Sequence, residues 1–174
     1  MKKALLIIDL QKDYFPDGLY PLWDTGRVLE NIVSAIGLAQ KQGIEVIHIQ
    51  HIANPGLGLS PFFNKDTEGA EIVPEVMAAA PDAPVVRKEY IDAFFKTTLE
   101  DVLAERQVDE LLVCGMMTQN CVTHTAISKS AEKYKVTMLA DCCTTVTEIL
   151  HQVGLFAVST RLDLADYRDA MKAE

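Results

Sequence analysis

Apolar residues along the chain alternate between two spacings, and the alternation predicts the fold. Ala4–Ile8 is an unbroken apolar run, as expected of a strand buried on both faces. From Thr25 to Gln42 the spacing becomes helical: Val28, Leu29, Ile32, Ile36 and Ala39 fall on one stripe. Asp24 or Thr25 can cap this helix and Gly43 can end it. Ile44–Gln50 is strand-like again, which makes a βαβ unit and implies parallel pairing. Pro84–Arg87 is a short strand leading into Lys88, and Thr97-Thr98-Leu99-Glu100 is a capping-box pattern opening a helix to about Arg106. Glu110–Cys114 is a strand, followed by a sharp turn at Gly115 and a helix from Cys121 to Tyr134. Val136–Ala140 is a strand closing on Asp141, and Thr145-Val146-Thr147-Glu148 is a second capping box, opening a helix to about Ser159. A short strand at Leu162–Leu164 and a terminal helix reaching Glu174 complete the pattern. The expected fold is a single α/β domain over 1–174, three-layered α/β/α, with a mostly parallel sheet of about six strands.

Two stretches escape this rhythm. Residues 10–24 and 51–83 are rich in turn residues and aromatics, with one short helix expected from Pro74 to Ala80. Long loops in a compact domain often wall a functional site.

Composition narrows the function classes. Of 174 residues, 49% are hydrophobic and 24% charged, an ordinary globular balance, and the net charge is -9. That sign argues against nucleic acid or an anionic membrane as partner. No run approaches the ~20 apolar residues of a membrane span. The N-terminal apolar run is broken by Asp9 too soon for a signal peptide. The four cysteines (114, 121, 142, 143) show no metal spacing, and reduced thiols in a cytoplasmic protein are expected.

Chemistry concentrates in Val113-Cys114-Gly115-Met116-Met117-Thr118-Gln119-Asn120-Cys121-Val122. A strand, a turn and a helix start set Cys121 at the carboxyl edge of the sheet, where open α/β folds bind ligands. The helix N-terminus would favour a thiolate there and offer free N–H groups to an oxyanion. Asp9 and Lys88 end strands at the same edge. Lysine can stabilise a thiolate, and a carboxylate can take the thiol proton. Taken singly, Asp9 is an ordinary turn residue and Lys88 an ordinary surface lysine.

Three segments together resemble the isochorismatase-like cysteine hydrolases, which include nicotinamidases and other small-amide hydrolases. They are Leu5-Leu6-Ile7-Ile8-Asp9-Leu10-Gln11 with Asp13 and Phe15, then Lys88-Glu89-Tyr90-Ile91-Asp92-Ala93-Phe94, then Val113 to Val122. The resemblance implies a catalytic triad of Asp9, Lys88 and Cys121, and a cis peptide joining Met116 to Met117. It also implies an oxyanion hole from the N–H groups of Met117 and Cys121, and a homo-oligomer, dimer or larger. Lys88 is expected to matter for thiolate formation rather than for stability. Nicotinamidases also carry a metal on an Asp-x-His pair after the second strand. Here that stretch is His48-Ile49-Gln50-His51-Ile52-Ala53-Asn54, without the aspartate, so no metal and no cofactor are expected. His48 and His51, three apart on a strand, should face opposite ways. Phe15, Trp23, His51 and Phe62 are candidate substrate-binding residues, because they stand in or beside the two long loops. His124, three residues after Cys121, is a possible dyad partner, and Cys142 and Cys143 are expected to be packing residues.

The expected reaction is hydrolysis of the C–N bond of a small amide through a thioester. Vinyl-ether hydrolysis of isochorismate needs a proton donor but no nucleophilic thiol. A non-catalytic interaction protein on the same fold is the third possibility.

Overall fold

The computed structural model describes residues 1–172. Six strands form one sheet in the order β3-β2-β1-β4-β5-β6. They are β1 (Lys3–Ile8), β2 (Glu45–His51), β3 (Val85–Lys88), β4 (Glu110–Met116), β5 (Lys135–Thr144) and β6 (Asp163–Ala165). Every neighbouring pair is parallel. The central strand β4 is buried throughout and β1 almost throughout, as their continuous apolar runs require. The edge strand β3 alternates instead: Val85 and Arg87 are exposed, Val86 and Lys88 buried.

The helices fill both faces of this sheet. The long helix α1 (Thr25–Lys41) packs on the sheet and against the short helices α2 (Pro74–Ala79) and α6 (Tyr167–Ala170). A second group comprises α4 (Thr123–Ala126) and α5 (Glu148–Val158), which pack on β5 and on each other. The remaining helix, α3 (Leu99–Glu105), joins β3 to β4. Of the stripe expected on α1, Val28, Ile32, Ile36 and Ala39 are buried, Leu29 is half-buried, and Ala35 joins them. Its end is a Schellman turn: Gly43 has φ 69°, its N–H bonds Gln40 O, and Ile44 N–H bonds Ala39 O.

Local features differ from expectation in five places. Asp24 stands before α1 but its carboxylate pairs with Arg27 instead of capping. Neither capping box forms as written. Glu100 pairs with Lys133, while Thr97 Oγ1 accepts from Leu99 N–H at 3.2 Å. At α5 the cap is Thr147, two residues later than read, accepting from Leu150 N–H at 3.2 Å. The strand β5 runs on to Thr144, with an irregularity in its pairing to β4 between Val113 and Gly115. The helix expected from Cys121 to Tyr134 is only a wide turn, Thr118–Val122, continued by α4, with a separate 3-10 turn at Lys129–Lys133. Asn120 (φ -117°, ψ -105°) kinks the turn just before Cys121, and α4 stops at Ala126 because Ser128 is extended (φ -54°, ψ 146°). Of the terminal helix, only α6 lies among the described residues, and positions 173–174 lie outside them.

Strand order reverses between β1 and β4, so the connections that leave their carboxyl ends depart in opposite directions and leave a crevice. The residues that emerge there are Asp9 and the segment from Met117 to Cys121. Gly115 makes the junction possible. It is the residue opposite Ile8, has φ 123°, and a Cβ there would lie 2.0 Å from the Ile8 carbonyl oxygen. Gly115 belongs to the strand. The chain turns one residue further on, at the Met116–Met117 peptide, which is cis.

Candidate active site

Asp9, Lys88 and Cys121 arrive from three strand ends and meet. Asp9 leaves β1 with φ 55°, a region aspartate tolerates better than most residues, while its N–H bonds Ile49 O at 3.0 Å. Lys88 is the last residue of β3, paired with His51 of β2, and the alternation of β3 turns its side chain inward. The 118–122 turn presents Cys121 from the other side. Lys88 Nζ lies 3.0 Å from Asp9 Oδ2 and donates to Cys121 Sγ at 3.2 Å. The side chains of Asp9 and Lys88 are completely buried and Cys121 is 4% exposed, so these charges face each other with little water between them.

Burial alone would push the Lys88 ammonium down, but Asp9 and Cys121 outweigh it and hold its pKa above the usual lysine value. Cys121 goes the opposite way from expectation. Burial pushes its thiol up and the Asp9 carboxylate pushes it further, and Lys88 pulls down without reversing them. The short, broken turn brings no helix long enough to offset that.

His51 belongs to this group. Its Nδ1 is 2.9 Å from Lys88 Nζ. Burial, then the Lys88 charge, push it down to about 4, so the ring is neutral and Nδ1 accepts from the ammonium. His48 points the other way, to Ala80 O at 3.1 Å. The segment after β2 supplies Ile52, Ala53 and Asn54, so the nicotinamidase-type Asp-x-His pair is missing and its metal does not fit there.

Three residues earn roles that their types alone did not disclose. Gln11 clamps His51: Nε2 donates to His51 O at 2.7 Å and Oε1 accepts from His51 N–H at 2.8 Å. Asp13 joins the two long loops, accepting from Leu19 N–H at 3.2 Å and Phe63 N–H at 2.8 Å. Tyr14 is buried, and burial, then Asp9 and Cys121, hold its phenol well above the usual range. The signal available in the sequence was a polar Gln-x-Asp set off by two residues, Asp9 and Leu10, from the apolar run of β1.

The other candidates divide. Phe62 packs with Tyr14 (ring centroids 5.0 Å apart), Phe63 (5.0 Å) and Tyr20 (4.9 Å), and His51 lies 6.0 Å from Phe63. This aromatic cluster ties the two loops together beside the triad. Phe15 lies elsewhere, lining a cavity of about 570 Å³ with Lys12, Asp13 and Gly69. Trp23 sits towards β5 and α5: its N–H bonds Thr145 O and its ring is 6.2 Å from His151. His151 in turn meets Thr118 Oγ1 at 2.8 Å. His124 is exposed, with Nδ1 on Asn120 O, and forms no dyad with Cys121. Cys114, Cys142 and Cys143 are fully buried free thiols. A cavity of about 1090 Å³ borders Lys88, lined also by Gln50, Asn54, Arg87, Tyr90 and Lys96.

With this geometry in view, the comparisons are decisive for family. The isochorismatase domain model matches residues 3–164. The chain belongs to the isochorismatase family of hydrolases. The uncharacterized isochorismatase family protein YddQ of Bacillus subtilis is 35% identical over 84% of this chain and 80% of its own length. Maleamate amidohydrolase of Pseudomonas putida is 28% identical over 98% of this chain and 86% of its own. An isochorismatase family protein from Desulfovibrio vulgaris, solved by crystallography, superposes with a TM-score of 0.85 at 25% identity, covering 97% of this chain and 96% of its own. The isochorismatase-family fold and this hydrolase's all-parallel sheet are one architecture. Among the described residues, no helix is long and apolar enough to cross a membrane.

Proposed function

We propose that this hydrolase is a cysteine amidase acting on the C–N bond of a small amide. The observation that carries the reading is Lys88 Nζ, buried between Asp9 Oδ2 and Cys121 Sγ. In this reading Asp9 takes the thiol proton as the sulfur attacks the carbonyl, and Lys88 remains charged beside both. The S–C bond forms, and the oxyanion is received by the N–H groups of Met117 and Cys121. Among the described residues, no turn, loop or cap hydrogen bond engages the Met117 N–H, which supports that role. Asp9 then returns its proton to the departing amine as the C–N bond breaks. Water adds to the thioester, giving its proton to Asp9, and the S–C bond breaks to release the acid as Asp9 returns that proton to the Cys121 sulfur. A nucleophilic sulfur has no place in vinyl-ether hydrolysis, which favours the amide.

The relatives support the reading by name: one is a maleamate amidohydrolase, another a streptothricin hydrolase. The test is intact mass spectrometry of protein quenched during incubation with a panel of small amides. An acyl adduct on Cys121 is expected, absent from Cys121→Ala and present in Cys114→Ala. Continued hydrolysis by Cys121→Ala would refute the covalent route.

A further inference from the structure

Lys88 Nζ has four acceptor atoms around it at nearly equal range. They are His51 Nδ1 at 2.9 Å, Asp9 Oδ2 at 3.0 Å, Tyr90 O at 3.1 Å and Cys121 Sγ at 3.2 Å. An ammonium has three N–H donors. One acceptor is therefore always unserved: Asp9 Oδ2 meets the ammonium as an ion pair only, and neither buried oxygen of that carboxylate has a hydrogen-bond partner among the described residues. The socket holds more donor atoms than its lysine can satisfy. Independently of the lysine, one atom each from Asp9, His51 and Cys121 lie within 4.8 Å of one another.

A carboxylate oxygen, an imidazole nitrogen and a sulfur are the mixed donor set taken by zinc and cobalt. Magnesium and calcium select oxygen alone. Bonds of about 2.0–2.3 Å would draw each atom in by roughly 1 Å from its present distance to the ammonium. Gln11 already fixes the backbone of His51, so only its ring has to move. We infer that Asp9, His51 and Cys121 form a binding site for a thiophilic divalent cation such as Zn²⁺, which enters in place of the Lys88 ammonium and silences the site. Cys121 binds as thiolate, so one proton leaves for each ion bound. Lys88 is displaced towards the large cavity it borders. Metal binding stands on the geometry alone; the silencing rests on the amidase reading.

The experiment is a Co²⁺ titration of the wild-type protein, followed by the thiolate-to-cobalt charge-transfer band. One ion per chain is expected, with the band absent in Cys121→Ala. Affinity should fall at least tenfold in His51→Ala and rise at least tenfold in Lys88→Ala, where no ammonium competes. Zn²⁺ should slow iodoacetamide labelling of Cys121 in the wild type, and a chelator should restore it. No band in the wild type, or equal affinity in His51→Ala, overturns the inference. Those two titrations decide it even if Lys88→Ala does not fold. Failure to hydrolyse any amide would refute the amidase reading and leave the titration untouched.

Discussion

The thiol of Cys121 is governed by two neighbours of opposite charge, and their removal should have opposite effects. The Asp9 carboxylate pushes the thiol up and Lys88 pulls it down. In Asp9→Asn the upward push is gone while the ammonium stays. We expect that variant to be labelled by iodoacetamide at a lower pH than the wild type, yet to lose hydrolysis at least 100-fold, in line with the loss of a general acid and base (~10²–10⁴-fold). Lys88→Met should shift labelling to higher pH. A pH–rate profile of labelling for the three proteins checks both; Asp9→Asn overlaying the wild type would show that the carboxylate does not control the sulfur. Lys88→Met also bears on stability. Lys88 looked like a residue of activity alone, but with both side chains buried its loss strands the Asp9 charge. Breaking a buried pair from one side costs about 3–5 kcal/mol. The variant should therefore unfold at distinctly lower urea.

At the scale of elements, the site depends on how closely β1 and β4 approach. Gly115 has a positive φ and no room for a Cβ, because backbone of β1 occupies the place. Neither strain can be relieved by rotating a side chain. Gly115→Ala should lower stability by several kcal/mol, more than a typical point mutation (~1 kcal/mol). It should also lower activity in whatever fraction still folds, since Asp9 directly follows β1 and the turn bearing Cys121 follows β4. Urea unfolding followed by circular dichroism checks the first, turnover per folded molecule the second. Helix ends show a different lesson. The Thr-x-x-Glu pattern was present before both α3 and α5, but the acid of the first is drawn to Lys133 and the cap of the second falls on Thr147. A capping motif competes with tertiary partners that are distant in sequence.

For the whole molecule, buried titratable groups set a stability window. Burial lowers His48 and His151, and lowers His51, with help from Lys88, to about 4. The folded chain binds these protons less readily than the unfolded chain, so their contribution is complete above the ordinary histidine value of ~6.5 and is lost as pH falls from there towards 4. For His51 the loss is roughly 3 kcal/mol at most. At the alkaline side burial raises the thiols of Cys121 and Cys142 and pushes Cys143 up to about 12. The unfolded chain ionises these first, so stability declines above an ordinary cysteine value of ~8.5. The urea midpoint should be highest between about pH 6.5 and 8.5 and fall on both sides; an unchanged midpoint from pH 7 down to 4 would contradict the assignment of neutral buried rings.

What the sequence determined by itself was the order of elements, the parallel sheet and the placing of Asp9, Lys88 and Cys121 at one edge of it. Those properties are local: a continuous apolar run, a helical stripe or a polar residue ending a strand can be read without knowing what it touches. Asp9, Lys88 and Cys121 were visible because each terminates a strand or opens a turn at one edge of the sheet. What only the tertiary structure decided depends on neighbours far along the chain. His51 joins the triad because β2 and β3 pair it opposite Lys88, and Gln11 holds it there across forty residues. The turn bearing Cys121 is short and broken, and its thiol is held up rather than down, because burial and Asp9 outweigh the ammonium. Trp23 meets β5 and α5, and Phe15 lines a cavity with Asp13 and Gly69, contacts that their places in the sequence do not show. Desolvation and charge are sums over surroundings, and surroundings exist only once the sheet has closed the distance between Asp9 and Cys121.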